Sequence, residues 1–124
     1  MAILPNSRNF GYTQETNALR YLTRQGLKLL RRNFSSRCGE IDLIMLHPPD
    51  QLVFVEVRFR QSAEFGSAKA SVTRDKQTRI KQTAATFLQK NTRYQCFACR
   101  FDVVAITRSR EEAVEIEWIR HAFC

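Results

Sequence analysis

Long apolar runs are missing from this sequence: none approaches the roughly 20 residues that a membrane-spanning helix needs. The start of the chain, from Met1 to Pro5, is also too short for the apolar core of a signal peptide. These absences argue against channels, transporters and secreted proteins. We therefore expect a cytoplasmic protein with no membrane partner.

Cysteine is scarce, and its spacing does not match the disulfide frameworks or zinc sites that usually stabilise small proteins. The four cysteines are Cys38, Cys96, Cys99 and Cys124. In a reducing compartment they are expected to be free thiols. Cys96 and Cys99 form one C-x-x-C pair, whereas a structural zinc site usually takes its four ligands from two such pairs. The sequence therefore predicts neither a disulfide framework nor a zinc site.

Acidic residues are few as well. Twelve Asp and Glu stand against 20 Lys and Arg, which gives a net charge of +8 and a pI of about 9.9. The basic excess is spread along the chain, which indicates a folded basic surface rather than a charged tail. Such a surface attracts polyanions, so nucleic acid is the first partner to expect. The alternative is a charge that serves solubility alone.

Length and periodicity predict an α/β fold. With 124 residues and 44% hydrophobic content, the chain predicts one domain, 1–124, with its own core and a flexible arm at 1–10. A sheet covered by helices is the arrangement that suits this mixture of elements. The predicted elements are a helix from Thr13 to Gln25 ended by Gly26, strands at 27–34, 41–46 and 52–60, a helix capped by Thr73 and ending near Lys90, and strands at 101–106 and 114–119. The core stripe predicted for the second helix is Ile80, Ala84, Phe87 and Leu88.

The second and third strands are predicted to form a hairpin, because His47-Pro48-Pro49-Asp50-Gln51 between them can only be a turn. With a three-residue loop centred on Pro49, one face carries only apolar pairs, and a shift of two residues would keep the same faces. The pairs on the apolar face are Ile41–Val57, Leu43–Val55 and Met45–Val53, and those on the other face include Asp42–Glu56 and Glu40–Arg58.

This register opposes two carboxylates, Asp42 and Glu56, at Cβ distances of ~5 Å. Like charges directly opposite each other are destabilising unless something neutralises them, and a divalent cation such as Mg²⁺ does so well. One alternative is a solvated face on which Glu40 pairs with Arg58 and Asp42 with Arg60. The apolar residues on both sides of Glu56 favour a buried strand, in which a carboxylate must be paired or metal-bound.

The same residues resemble a known family. Gly39-Glu40-Ile41-Asp42-Leu43-Ile44, followed by Val53-Phe54-Val55-Glu56-Val57-Arg58, resembles the YraN family of bacterial predicted endonucleases. That family belongs to the restriction-endonuclease-like PD-(D/E)XK superfamily and is similar to archaeal Holliday junction resolvases. The resemblance implies a three-layer core in which helices flank a central mixed sheet, in the order αβββαβ plus a C-terminal strand. It covers nearly the whole chain, with further matches at Glu15 to Gly26, at Ser71 to Gln77, at Cys99 to Ala105 and at Glu117 to Ile119.

The resemblance also implies roles for individual residues. Asp42 and Glu56 correspond to the catalytic carboxylates that hold Mg²⁺ or Mn²⁺, Glu15 to an acidic ligand from the first helix, and Gln77 to a residue that orients the site. Arg58 stands where the superfamily's motif ends in lysine. Arginine can bind a phosphate with two hydrogen bonds but is a poor general base. Catalysis would then rest on metal-bound hydroxide, with Arg58 stabilising charge on the phosphate.

The implied function is a metal-dependent DNA endonuclease that hydrolyses phosphodiester bonds, including those of branched or repair-intermediate DNA. No residue pattern reads base edges, so we expect DNA to be bound by backbone and shape. Enzymes that cut both strands often dimerise, so a homodimer is also considered. The alternatives are a non-catalytic nucleic-acid-binding domain that retains a nuclease fold, and a protein-interaction scaffold. The residues expected to contact the DNA backbone are Arg60, Lys69, Arg74, Lys76, Arg79 and Lys81.

Overall fold

The computed structural model describes residues 7–61, 71–108 and 114–124, with the backbone alone at 7–9 and 61. Its element order confirms the predicted αβββαβ arrangement with a further C-terminal strand. A short 3₁₀ helix, Thr92–Tyr94, precedes the fourth strand. The helices and strands are α1 (Ser7–Arg24), β1 (Lys28–Ser36), β2 (Gly39–His47), β3 (Gln51–Gln61), α2 (Arg74–Lys90), β4 (Ala98–Arg108) and β5 (Val114–Phe123).

The five strands form one mixed sheet in the order β1-β2-β3-β4-β5. Only the β3–β4 pair among them is parallel. Two apolar clusters cover its two faces. Ala18 and Leu22 of α1 belong to one cluster, and Ile80 and Phe87 of α2 belong to the other. The helices therefore lie on opposite faces of the sheet, which confirms the predicted three-layer α/β core.

The hairpin register is confirmed over most of its length. Leu43 pairs with Val55 and Met45 with Val53, as predicted, and the ladder ends at the Leu43–Val55 pair. The predicted pairs beyond it, including Asp42 with Glu56, are absent from the described β2–β3 ladder, so that part of the prediction is wrong. The strands separate there because the Asp42 carboxylate inserts between them.

The evidence for this insertion is a hydrogen bond. The backbone N–H of Val57 donates to Asp42 Oδ2 at 2.8 Å, so a side chain takes the place of a ladder partner. The face alternation also breaks at this point. Ile41 lies in the cluster under α2, whereas Leu43 lies in the cluster under α1. The predicted single apolar face is therefore correct from Leu43 onward and wrong at Ile41.

Helix α1 begins earlier than predicted, at Ser7 instead of Thr13. The prediction of a flexible arm is therefore wrong for residues 7–10, while residues 1–6 lie outside the described part of the chain. The physical reason is an aromatic anchor: the ring of Phe10 packs edge-on against Phe59 of β3, with centroids 4.7 Å apart. The predicted stop is confirmed, because Gly26 follows the helix with a φ of 99°.

Helix α2 is confirmed in extent and in cap. Thr73 accepts a hydrogen bond from the backbone N–H of Lys76 at 3.2 Å, which fixes the first turn. The predicted buried stripe includes Ile80, Ala84 and Phe87, all of which are buried. This stripe determines which side of the first turn faces the sheet, and it therefore positions the side chains at the start of α2.

No helix in the described ranges is long and apolar enough to cross a membrane. Cys96 lies in the turn before β4 and Cys99 near the start of that strand, and both are exposed free thiols. Desolvation raises the pKa of the Cys99 thiol above its usual value, which is the opposite of what a reactive cysteine needs.

Candidate metal centre

The candidate site lies where β2 and β3 separate, and it opens into two neighbouring clefts. A cleft of about 340 Å³ is lined by residues of β2, β3 and α2, among them Glu40 and Arg79. A second cleft of about 250 Å³ is lined by residues of α1, β3 and α2, among them Glu15 and Arg58. Three residues line both clefts: Asp42, Glu56 and Lys76.

The charged form of the Asp42 carboxyl group is destabilised in this position. Burial, and after it the nearby Glu56 carboxylate, raise the pKa of this carboxyl group to about 8. The hydrogen bond from Val57 and the charge of Lys76 oppose this rise without cancelling it. A carboxylate that burial and a neighbouring negative charge destabilise is one that a divalent cation would stabilise.

Glu15 of α1 reaches the same point. Burial raises the pKa of its carboxyl group, while side-chain hydrogen bonds involving Asn33 and Asp42 act in the opposite direction. Its Oε1 lies 3.7 Å from Arg32 Nε and is buried without a hydrogen-bond partner among the described residues. The structure therefore brings Glu15 to Asp42, as the sequence analysis expected.

Arg32 holds α1 in place over β1, and this contact positions Glu15. The Arg32 guanidinium donates to the Tyr12 carbonyl at 2.6 Å and to Thr16 Oγ1 at 2.7 Å. It also lies over the Tyr12 ring, 3.6 Å from the centroid. Asn33 follows with a φ of 54°, a left-handed conformation that asparagine tolerates well.

The carboxylate group that could hold a cation differs from the predicted one by one member. Oxygen atoms of Glu15, Glu40 and Asp42 all lie within 4.8 Å of one another. Glu40 was assigned no metal role from the sequence, although it lies two residues before Asp42 and strand periodicity offers the signal. An all-oxygen set of this kind suits Mg²⁺ or Mn²⁺.

Glu56, the second predicted acidic ligand, is engaged by cations from the protein itself. Its side chain is 6% exposed, and Lys76 Nζ lies 2.5 Å from its Oε1. Arg58 Nη1 is farther away, at 3.8 Å from the same oxygen. Glu56 acts on Asp42 through its charge, and both residues line the two clefts. The predicted acidic pair is therefore close, but only Asp42 belongs to the three-carboxylate group.

Arg58 and Gln77 occupy different positions relative to the site. Arg58 Nε donates to Ser71 Oγ at 3.2 Å, and its side chain lines the smaller cleft. Gln77 uses its side-chain amide to donate to the Val72 carbonyl at 3.0 Å. Among the described residues, Gln77 is not one of those that line either cleft. The Gln77 side chain therefore stabilises the loop before α2 instead of contacting the carboxylates.

The predicted DNA-contacting residues form two groups. Arg74, Arg79 and Lys81 are exposed along α2, and Arg79 lines the larger cleft. Lys76 is partly buried, and its ammonium group lies inside the acidic site. Arg60 is partly buried on β3, and Lys69 falls outside the described residues.

The position of Lys76 was available from the sequence but was missed. It lies four residues before Ile80, the first buried residue of the predicted stripe, so it lies on the same face of the helix. A lysine on the same helix face as the buried stripe is expected to direct its ammonium group toward the sheet.

Fold and site together define the class of this protein: a small α/β protein with a mixed sheet between two helices and a carboxylate cluster where two strands separate. The model of the Uncharacterised protein family UPF0102 matches residues 14–106. These residues span α1 from Gln14 through most of β4 and include the whole candidate site.

The chain belongs to the UPF0102 family. It is 53% identical to a UPF0102 protein of Saccharophagus degradans over 113 residues, which cover 91% of each chain. It is 46% identical to a UPF0102 protein of Pseudomonas putida KT2440 over 113 residues, or 91% of this chain and 90% of the relative. A UPF0102 protein of Alcanivorax borkumensis is 42% identical over 123 residues, 99% of this chain and 98% of the relative. The family-level part of the sequence resemblance is thereby confirmed.

Proposed function

We propose that this protein is a cytoplasmic, metal-dependent DNA endonuclease that hydrolyses phosphodiester bonds at the carboxylate cluster. The observation that carries the proposal is the group formed by Glu15, Glu40 and Asp42, with oxygens within 4.8 Å of one another, beside the buried Glu56. The resemblance to the restriction-endonuclease-like PD-(D/E)XK superfamily adds support, because the positions it identifies as metal ligands are members or neighbours of this group.

The donor set fits a hard divalent cation. Glu15 and Asp42 would hold Mg²⁺ or Mn²⁺, with Glu40 completing an oxygen-only set and Glu56 beside them. When bound, such an ion activates a water molecule and polarises a phosphate oxygen. Glu15 Oε1, which has no hydrogen-bond partner among the described residues, provides a free lone pair for this purpose.

Protein cations around the carboxylates would bind the phosphate. Lys76 lies at the junction of the two clefts, Arg79 lines one of them and Arg58 the other. Arginine presents a planar fork that matches two phosphate oxygens, whereas lysine acts as a compact point charge. One or more of these cations would stabilise the negative charge that develops on the phosphate during hydrolysis.

DNA would be held through its backbone. The net charge is +8, and exposed basic residues lie along α2, where Arg79 lines the larger cleft. Contacts of this type do not identify bases, so the substrate would be selected by shape. Branched and repair-intermediate DNA are the first substrates to test, and a homodimer is a further proposal for an enzyme that cuts both strands.

The test is a cleavage assay with purified protein. We expect Mg²⁺ or Mn²⁺ to support cleavage of branched, single-stranded or duplex DNA, and EDTA to abolish it. Asp42→Asn removes a ligand charge while keeping the shape of the side chain, so the rate should fall by at least ~100-fold. Asp50→Asn, at an exposed residue of the β2–β3 turn, is the matched control and should cleave like the wild type.

A second function is favoured by one observation. Lys76 already compensates the charge of Glu56, and Arg58 replaces the motif lysine, so the fold could bind DNA without cutting it. DNA binding with no cleavage under any divalent metal would support this non-catalytic module and contradict the endonuclease. Equal cleavage by Asp42→Asn and wild type would instead indicate a contaminating nuclease.

A further inference from the structure

Lys76 has a position that neither the motif nor a solvated helix face explains. Its ammonium nitrogen lies 2.5 Å from Glu56 Oε1, and its side chain is 34% exposed. It also lines both clefts, together with Asp42 and Glu56. A lysine in this place is held on a buried carboxylate at one side and is open to an incoming anion at the other.

Arg58 is less suited to the same task. Its Nε is used in the hydrogen bond to Ser71 Oγ at 3.2 Å. Its Nη1 lies 3.8 Å from Glu56 Oε1, which is an ion pair beyond hydrogen-bond distance. Arg58 lines only the smaller of the two clefts. Its guanidinium is thus partly engaged by the loop before α2.

Helix α2 holds Lys76 in a defined position relative to the sheet. The Lys76 backbone N–H donates to Thr73 Oγ1 at 3.2 Å, so the residue lies in a capped first turn. Ile80, one turn further, is buried against the sheet and orients this face of the helix inward. The positive end of the α2 dipole adds to the ammonium charge at the same place.

We infer that Lys76 of α2, and not Arg58 of β3, is the cation that contacts the scissile phosphate beside Glu56. The helix thereby supplies the ammonium group that the strand lacks. This inference rests on the proposed endonuclease function and deepens it, because it assigns a catalytic residue to the same site.

The chemical step needs no proton from this lysine. In hydrolysis, a water oxygen forms a bond to phosphorus, the phosphorus–oxygen bond to the deoxyribose breaks, and the proton of the water passes to the leaving oxygen. Lys76 keeps its protons throughout and donates hydrogen bonds to the phosphate oxygens. Its contribution is charge stabilisation in the transition state, for which a single removed donor typically costs about 10²–10³ in rate.

The experiment compares four single variants with the wild type in single-turnover cleavage of branched DNA with saturating Mn²⁺. Lys76→Met should lower the rate by about 100-fold or more. Arg58→Met should lower it by less than about tenfold, and Lys76→Arg, which keeps the charge, should fall between these two. Lys90→Met removes an exposed lysine from the far end of the same helix and should stay within about twofold of the wild type.

Two further measurements separate chemistry from binding and folding. DNA affinity measured in EDTA should change by less than about threefold in Lys76→Met, because one charge among many is lost. The melting temperature shows whether the variant is folded. If Lys76→Met is unfolded, the inference is tested by the cleavage rate of Arg58→Met. A loss of less than about tenfold supports the inference, and a loss of about 100-fold or more would overturn it.

The outcomes distinguish the two levels of the proposal. A wild type that cleaves, with Lys76→Met as active as Lys90→Met, contradicts the role of Lys76 and leaves the endonuclease intact. A wild type that cleaves nothing under any metal contradicts the endonuclease and the role of Lys76 together.

Discussion

Asp42 is partly buried, lies close to a second carboxylate and accepts a backbone hydrogen bond from Val57. Each contact has a separate effect on its charge. Desolvation and the charge of Glu56 raise the pKa to about 8, far above the ordinary value of 3.8. At pH 7 the folded protein therefore holds this carboxyl group mainly in its protonated form when no cation is bound.

This property predicts how stability depends on pH. Because the folded pKa of Asp42 is raised, its stabilising contribution is complete below about pH 4 and is lost as pH rises toward 8. Asp42→Asn imitates the neutral carboxyl group and can still accept the hydrogen bond from Val57. In EDTA, the variant should melt at least ~3 °C above the wild type at pH 8.5 and close to it at pH 4.5.

The matched control is Asp50→Asn, because Asp50 is exposed in the turn between β2 and β3. Its melting temperature should follow the wild type at both pH values. A difference between Asp42→Asn and the wild type that is the same at pH 4.5 and pH 8.5 would contradict the raised pKa of Asp42.

Arg58 and Lys76 illustrate how far residue types can be interpreted from a sequence. The motif assigns the cation beside Glu56 to Arg58, because residues two positions apart on a strand share a face. The structure gives the shorter ion pair to Lys76, which is 20 positions away from Glu56 along the chain and comes from another element. Such a contact depends on how α2 is rotated about its axis over the sheet. This rotation cannot be inferred from the spacing of residues along a single strand.

At the scale of elements, α2 combines two roles. Ile80, Ala84 and Phe87 are buried against the sheet, while Arg74 and Arg79 are exposed and Arg79 lines the larger cleft. An element with this division presents positive charge beside the carboxylate site without exposing its apolar stripe. The first half of α2 is therefore the expected path of the DNA backbone past the clefts.

Charge reversal tests this expectation. The double variant Arg74→Glu/Arg79→Glu should weaken DNA binding in EDTA by at least ~10-fold at low salt. It should also flatten the slope of log affinity against log salt by about 2, since each lost phosphate contact removes about one. Fluorescence anisotropy with a branched DNA measures both quantities.

The control is Lys90→Glu/Arg93→Glu, which changes the net charge by the same amount. Both residues are exposed. Lys90 is the last residue of the 17-residue helix and Arg93 follows it, so both lie roughly 25 Å from the start of the helix at 1.5 Å per residue. Equal effects from the two double variants would mean that overall charge, and not the N-terminal half of α2, determines binding.

Elements were largely predictable because their signals are local. Periodicity gave both helices and all five strands in order, and the apolar pairs gave the hairpin register from Leu43 onward. The start of α1 was missed because it depends on Phe10 packing against Phe59, a contact between distant parts of the chain. The separation of β2 from β3 at Asp42 was missed because the Asp42 side chain takes the place of a backbone hydrogen-bond partner there. The alternation of apolar and polar residues does not reveal such a replacement.

At the scale of the whole molecule, the carboxylate cluster exists because α1 and β2 converge where β2 separates from β3. Glu15 comes from α1, and Glu40 and Asp42 come from β2 at its point of departure from β3. Arg32 of β1 holds α1 over the sheet through its contacts with Tyr12 and Thr16. The family match spans α1 to β4, so it covers all the elements that build the centre.

The central claim is that this centre binds a divalent cation, and the most direct measurement is Mn²⁺ binding followed by electron paramagnetic resonance at pH 8. We predict that the wild type binds Mn²⁺, that Mg²⁺ displaces it, and that Asp42→Asn loses at least ~10-fold in affinity while Asp50→Asn retains it. Mn²⁺ binding that is absent in the wild type, or unchanged in Asp42→Asn, would contradict the account.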